Sequence, residues 1–251
     1  NVDDRWLTGI ADYNIVASPV IQAVGKAFRA TMDVAIQCST PDARIHYTDD
    51  GTEPTEKSPV YTSFIELDKS DTLKAIAIKD SVKSKVSTAY FYKIEHDWGL
   101  SIKGNYNAQY SAGGDDGLID GLRGEENWRK GDWQGYQGQD IQILIDLKKQ
   151  QDINMVGAGF LQDAGAWIVL HSKVILELSA DGKIFTKVAE FTNKLEESDS
   201  KTRISNMEYQ LAKPYHGRYL RVKATNSGKL PSWHAGAGGD SFIFIDEVWA
   251  K

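Results

Sequence analysis

No stretch of this chain carries an apolar stripe at i, i+3, i+4 and i+7 over about ten residues; short apolar runs bounded by turn chemistry recur instead. That pattern rules out helix bundles and βαβ repeats and predicts an all-β protein. From Pro19 to Lys93 the runs are TMDVAIQC, RIHYT, SFIEL, TLKAIAI and VSTAYFYK, separated by TPDA, DDGTEP, DKSD and KDSVKS. Five or more short strands at such spacing predict a small antiparallel sandwich. In the DDG turn, Gly51 can take the positive φ of a tight hairpin or bulge. Beyond Glu95 the runs are IQILIDL, NMVGAGFL, KVILELS, IFTKVAEF, MEYQLA, YLRVKAT and SFIFIDEVW, with a turn at ADGK and a polar break at NKLEESDSKT. In the first of these, Ile141, Ile143, Ile145 and Leu147 alternate with Gln142, Leu144 and Asp146, as a half-buried strand requires. About nine strands in this part predict a larger sandwich or jelly roll.

The distribution of two residue types places the boundary. Up to Ile94 the chain holds one of its seven tryptophans, Trp6, and three of its 22 glycines. Two domains are therefore expected, 1–94 and 95–251, either large enough to bury its own core. The leader 1–14, NVDDRWLTGIADYN, shows no period and its role cannot be read. The first part carries 11 basic against 13 acidic residues and the second 18 against 22, so the net charge of −6 is spread evenly. A mildly acidic chain without a basic stripe offers little attraction to nucleic acid or to an anionic membrane, and both partners are discounted. No run of about 18 apolar residues predicts membrane insertion, and no signal peptide is present. The start at Asn1 suggests a processed or excised piece of something longer. Cys38 is the only cysteine, which excludes an intrachain disulfide and a thiolate metal cluster; its parity with Val34 and Ile36 predicts a buried strand face.

Binding chemistry is expected where glycine and aromatic residues gather outside the strands, and Ser111–Asp140 is the longest such stretch. Sugar rings present C–H faces to aromatic side chains, and their hydroxyls need planar or charged hydrogen-bond partners. Three segments supply both. RKGDWQGYQGQD sets Trp133 and Tyr136 among Arg129, Asp132 and Gln134; FLQDAGAWIVLH sets Trp167 beside Gln162 and Asp163; LPSWHAGAGGD sets Trp233 and His234 before a glycine cluster. The candidate sugar-binding residues are thus Trp133, Tyr136, Arg129, Trp167, Trp233 and His234. Large aromatics more often pack than touch ligands, but Trp133 and Trp233 lie on no apolar strand face. Trp249, ending the last strand, is expected in the core. His234 has no cysteine or second histidine nearby, which argues against zinc.

FIFIDEVW is apolar on both parities, so Asp246 or Glu247 must point toward an apolar side and needs a cation, an arginine or backbone donors there. The pairs Asp115–Asp116 and Glu125–Glu126 sit on glycine-rich loops and read as solvated. A glycoside hydrolase needs two carboxyls facing across a cleft, so catalysis by this chain is not expected.

Two stretches resemble known families. TPDARIHYTDDGTEPTEKSPVY through TLKAIAIKDSVKS resembles the immunoglobulin-like C-terminal domain of chitobiases and bacterial β-hexosaminidases. GLIDG, the IQILIDL strand, ELSADGKIF, RYLRVKAT and FIFIDEVW together resemble the factor V/VIII type C, or discoidin, domain, above all the family 32 carbohydrate-binding modules of secreted bacterial glycosidases. The resemblance implies a small immunoglobulin-like β-sandwich followed by a discoidin-like jelly-roll β-sandwich, acting as a non-catalytic glycan-binding accessory of a glycoside hydrolase catalytic domain. It also implies an extracytoplasmic location, and galactose, N-acetylglucosamine or N-acetylgalactosamine as first sugars to try. It places Trp128 in the core and implies one structural Ca²⁺ held by Asp120 and Glu247, hard oxygen ligands that suit calcium. The chain departs from that pattern by one extra residue between Asp120 and Trp128 and by Asn127 where threonine is common. A spacer without ligand affinity, or an adhesin binding protein or lipid through the same loops, are the alternative readings.

Overall fold

The computed structural model describes residues 15–194, 196 and 201–251. The leader 1–14 and half of the NKLEESDSKT break lie outside these. The chain divides into two compact units between Lys93 and Ile94.

The first unit contains β1 (Val20–Gln22), β2 (Ala27–Phe28), β3 (Met32–Gln37), β4 (Arg44–Thr48), β5 (Ile65–Leu67), β6 (Asp71–Lys79), β7 (Val82–Lys83) and β8 (Ser87–Lys93). One sheet has the order β1-β3-β5; the other is β2-β8-β6-β4, with β7 on β6. Met32 and Val34 from β3 and Leu67 from β5 meet Leu73 from β6, Phe91 from β8 and Phe28 from β2 in one buried cluster, so the two sheets form a sandwich. Gly51 has φ +76° in its turn. Cys38 lies just past β3 and is half-buried, its Sγ donating to the Ala17 carbonyl at 3.2 Å. It belongs to no strand because β3 ends at Gln37.

The second unit contains β9 (Gly99–Lys103), β10 (Gln134–Gln137), β11 (Ile141–Gln162), β12 (Lys173–Ser179), β13 (Thr186–Thr192), β14 (Arg203–Thr225) and β15 (Phe242–Ala250). Segments expected as separate strands are continuous here: IQILIDL and NMVGAGFL are both β11, and MEYQLA and YLRVKAT are both β14. Each serves two layers. Ile141–Asp146 pairs with β9 and with Tyr219–Ala224, whereas Met155–Gln162 pairs with Arg203–Gln210 and with β15. Register shifts between Asp146 and Met155, with Lys148 at φ +66°, mark the bend between the halves. One layer is therefore β9, the first half of β11, the second half of β14, β12 and β13; the other is β10, β15, the second half of β11 and the first half of β14. The core lies between them, where Ile143, Ile145, Leu176 and Val222 face Val156, Phe160, Ile243 and Ile245.

This bend decides where the loops go. Both ends of β11 reach the same end of the sandwich, as do the end of β14 and the starts of β12 and β15. The connections 163–172 and 226–241 consequently cross from one layer to the other side by side. Among the described residues the only helical pieces are 3-10 turns at Trp128–Lys130 and Ala164–Ala166.

Candidate functional site

A second, smaller apolar cluster closes the loop end. Trp133, Leu161, Ile168 and Phe244 are buried together, with Tyr110, Trp128, Ala166 and Phe242 packed on them. Trp133 is 1% exposed and its Nε1 donates to the Glu125 carbonyl at 2.9 Å. Its ring lies on Gly124, where an added Cβ would come within 2.2 Å of it. The expectation that Trp133 faces sugar is therefore corrected: a ring with both faces covered cannot stack on a pyranose. Tyr136 is corrected likewise. It is fully buried between the layers, and its hydroxyl donates to Gln134 Oε1 at 2.7 Å. The RKGDWQGYQGQD segment contains an edge strand, β10, hidden from pattern reading by Gly135. That glycine lets the strand lie against Phe244 and Tyr110, which a Cβ would meet at 2.5 and 2.9 Å.

Trp128 is only half-buried, not the core residue expected. Its Nε1 donates to Asp163 Oδ2 at 3.1 Å, and the exposed Arg129 guanidinium lies 4.1 Å from its ring centroid. Asp163 opens the next loop: its carbonyl receives the Ala166 amide and its backbone bridges to Ile168. Between them Trp167 takes φ +67°, a backbone region costly for a bulky residue, and is 37% exposed. Its ring rests on Gly236 and Gly239 of the facing loop; a Cβ at either would come within 2.6 or 2.8 Å of it. Trp233 is 38% exposed. His234 behind it is buried: its Nε2 donates to the Ala164 carbonyl at 2.6 Å and its Nδ1 accepts the Gly236 amide at 2.9 Å. Both ring nitrogens are spent within the protein, so His234 positions loops and is not a ligand contact.

One end of the sandwich thus carries Trp167, Trp233, Asp163 and the Trp128–Arg129 stack in a connected set on a rigid apolar base. The sequence reading missed Trp128 as part of it. The available signal was the adjacent Arg129, since a surface guanidinium beside a tryptophan often stacks on it.

The two acidic residues of β15 find different partners. Asp246, fully buried, accepts from Arg123 Nε and the Gly124 amide, each at 2.9 Å; Arg123 also donates to Asn206 Oδ1 at 2.7 Å and lies over the Trp249 ring. Trp249 is buried, as expected. Glu247, also buried, accepts the Gly121 amide at 3.1 Å, and Asp120 accepts the Leu122 amide at 2.8 Å. Burial pushes the Glu247 carboxyl up to about 9, with the Asp120 charge adding to it. Burial likewise lifts Asp120 to about 6, and Asp132, Asp116 and Asp246 push the same way. Neither makes an ion pair with a basic side chain among the described residues. A buried and a half-buried carboxylate that repel each other, with no basic side chain paired to either, fit a hard cation, although no group of three or more His, Cys, Asp or Glu side chains poised for a metal is present among the described residues. Any further ligands would therefore be neutral oxygens, from backbone carbonyls, amide or hydroxyl side chains, or water.

Asp115 accepts the Tyr106 hydroxyl at 2.6 Å and Glu125 pairs with Lys130 at 2.6 Å, both on exposed loops. No helix of the described residues is long and apolar enough to cross a membrane.

Residues 23–89 match the family model of the chitobiase/β-hexosaminidase C-terminal domain. No curated protein matches the chain. Among solved structures it is similar to the C-terminal domain of a chitobiase from Bacteroides fragilis, at 18% identity over 63% of this chain and 95% of that one, with a TM-score of 0.38. It is also similar to a family 32 module from a family 31 glycoside hydrolase of Clostridium perfringens, at 17% identity over 62% and 95%, TM-score 0.38. A third is the family 32 module of Clostridium perfringens NanJ in complex with galactose, at 15% identity over 61% and 92%, TM-score 0.37.

Proposed function

We propose that this chain is a non-catalytic carbohydrate-binding accessory region of a glycan-degrading protein, which holds a glycoside hydrolase catalytic domain against its substrate outside the cytoplasm. The main support is the exposure of Trp167 and Trp233 on the two adjacent connections at one end of the sandwich, since tryptophan is on average highly buried. Each offers a ring face to the C–H face of a pyranose, while the Asp163 carboxylate and Arg129 supply hydrogen-bond partners for hydroxyls. Catalysis finds little support, because Asp115 and Glu125 are engaged by Tyr106 and Lys130 on open loops, where carboxylates are solvated. In this reading Asp120 and Glu247 hold one Ca²⁺, whose charge offsets the two carboxylates and keeps the loop carrying Gly124 beneath Trp133.

The test is a glycan array with the full chain, followed by titration of galactose, N-acetylgalactosamine and N-acetylglucosamine. Saturable binding that falls in Trp167→Ala and Trp233→Ala is expected. Binding that is untouched by both substitutions would reject the site, and a chain that binds no glycan would be a spacer.

A further inference from the structure

The outer face of the β2-β8-β6-β4 sheet carries aromatic residues that the loops of the second unit do not account for. Along β8 the pleat sends Phe91 into the core, and Tyr90 and Tyr92 stand on the opposite face, 57% and 40% exposed. Strand geometry sets these two side chains roughly 7 Å apart along one line. The register extends the row sideways: Tyr90 lies opposite Thr72 of β6, and Asp50 bridges to Thr72 beyond it. A shallow cavity of about 260 Å³ follows the row, lined by both tyrosines with Asp50, Ser70, Asp71 and Thr72.

Asp50, whose bridge to Thr72 continues the Tyr90 row, is held in place: its Oδ1 accepts from the Thr52 amide and hydroxyl. Asp71 pairs with Phe91, so it shares the inward parity at the strand end and only borders the cavity. Two exposed rings in line along one strand, beside the fixed Asp50 acceptor and the Thr72 hydroxyl, match a pyranose chain, whose C–H faces stack while its hydroxyls donate. Two further features narrow the class. Two rings spaced along one extended strand suit an extended ribbon such as a β-1,4-linked chain, not a coiled α-linked one. The cavity lining includes two aspartates and no lysine or arginine, which disfavours anionic polymers.

We propose that Tyr90 and Tyr92 form a second glycan platform, on the first unit, for neutral β-1,4-linked chains. It stands independently of the tryptophan loops, and the experiment separates the two. In the full chain, Trp167→Ala/Trp233→Ala removes the loop aromatics, and this background is titrated with chitohexaose, cellohexaose and an oligouronate of similar length. It is expected to bind at least one neutral hexasaccharide and not the oligouronate. Adding Tyr90→Ser and Tyr92→Ser should weaken that binding at least tenfold with an unchanged melting temperature, because both side chains face solvent. Restoring Tyr90→Phe and Tyr92→Phe should recover most of it, as stacking needs the ring and not the hydroxyl. A background that binds neither neutral hexasaccharide, a serine pair that binds as the background does, or equal affinity for the oligouronate would each overturn the proposal.

Discussion

His234 Nε2 donates to the Ala164 carbonyl at 2.6 Å while its Nδ1 accepts the Gly236 amide at 2.9 Å, so one neutral imidazole joins the loop bearing Trp167 to the loop bearing Trp233. The joined loops are the two connections that the bend of β11 brings to one end of the sandwich. Replacement of His234 by alanine strands a partly buried amide and a buried carbonyl, at a cost of roughly 1–3 kcal/mol. His234→Ala should therefore lower the melting temperature and also weaken glycan binding, although the imidazole touches no sugar. Calorimetry on the variant together with a binding titration checks this; a loss of stability at full affinity would separate the latch from the site.

The tryptophans should divide by burial. Trp167→Ala and Trp233→Ala remove half-exposed rings and should leave the fold intact while costing binding about 1–3 kcal/mol, the range of an interface anchor. Trp133→Ala opens a cavity in the cluster with Leu161, Ile168 and Phe244 and should cost about 3–5 kcal/mol of stability. Chemical denaturation of the three variants side by side gives the ordering.

The pair Asp120 and Glu247 predicts a pH response opposite to that of ordinary surface carboxylates. Both are raised in the fold, Asp120 to about 6 and Glu247 to about 9. A carboxyl raised on folding binds its proton more tightly in the native state, so the metal-free protein loses stability as pH rises from the unfolded value of about 4 toward 9. Calcium should cancel that loss and raise the melting temperature most at the alkaline end. Melting curves from pH 5 to 9 with calcium and with a chelator read the effect; superimposable curves would remove the cation from this account.

At the opposite end of the sandwich Asp146 accepts two bonds from Arg218, at 2.6 and 2.8 Å. The Arg218 guanidinium holds the Asp146 carboxyl well below the usual carboxylate range. A depressed carboxyl contributes stability above its unfolded value near 3.9, lost as pH falls through the folded one. Because both partners are partly exposed, Asp146→Asn should cost only about 1 kcal/mol at neutral pH. The difference from the parent protein should shrink as pH falls below about 4, which urea unfolding at pH 7 and pH 3 would measure.

The alternation in IQILIDL and the run FIFIDEVW sufficed to assign strands, since the pleat makes side-chain period a local property of the backbone. The need for partners at Asp246 and Glu247 was equally legible, because burial of a carboxylate has its cost wherever it occurs. The partners themselves were not: Arg123 lies far from Asp246 in sequence, and only the folding of its loop onto β15 brings its Nε to 2.9 Å from that carboxylate.

The sequence by itself determined an all-β chain of two parts, with tryptophan and glycine gathered in the second. Which tryptophans face solvent was decided only by tertiary structure. Trp133 and Trp233 both sit among glycines and polar residues, and nothing local distinguishes them. Trp133 is enclosed because the loop at Gly124 folds across its ring and completes the cluster with Phe244. Trp233 remains open because the neighbouring His234, not the indole, ties its loop to the rest of the fold. Burial of a large ring depends on surfaces supplied by residues distant in the chain, and a period of two or 3.6 carries no record of them.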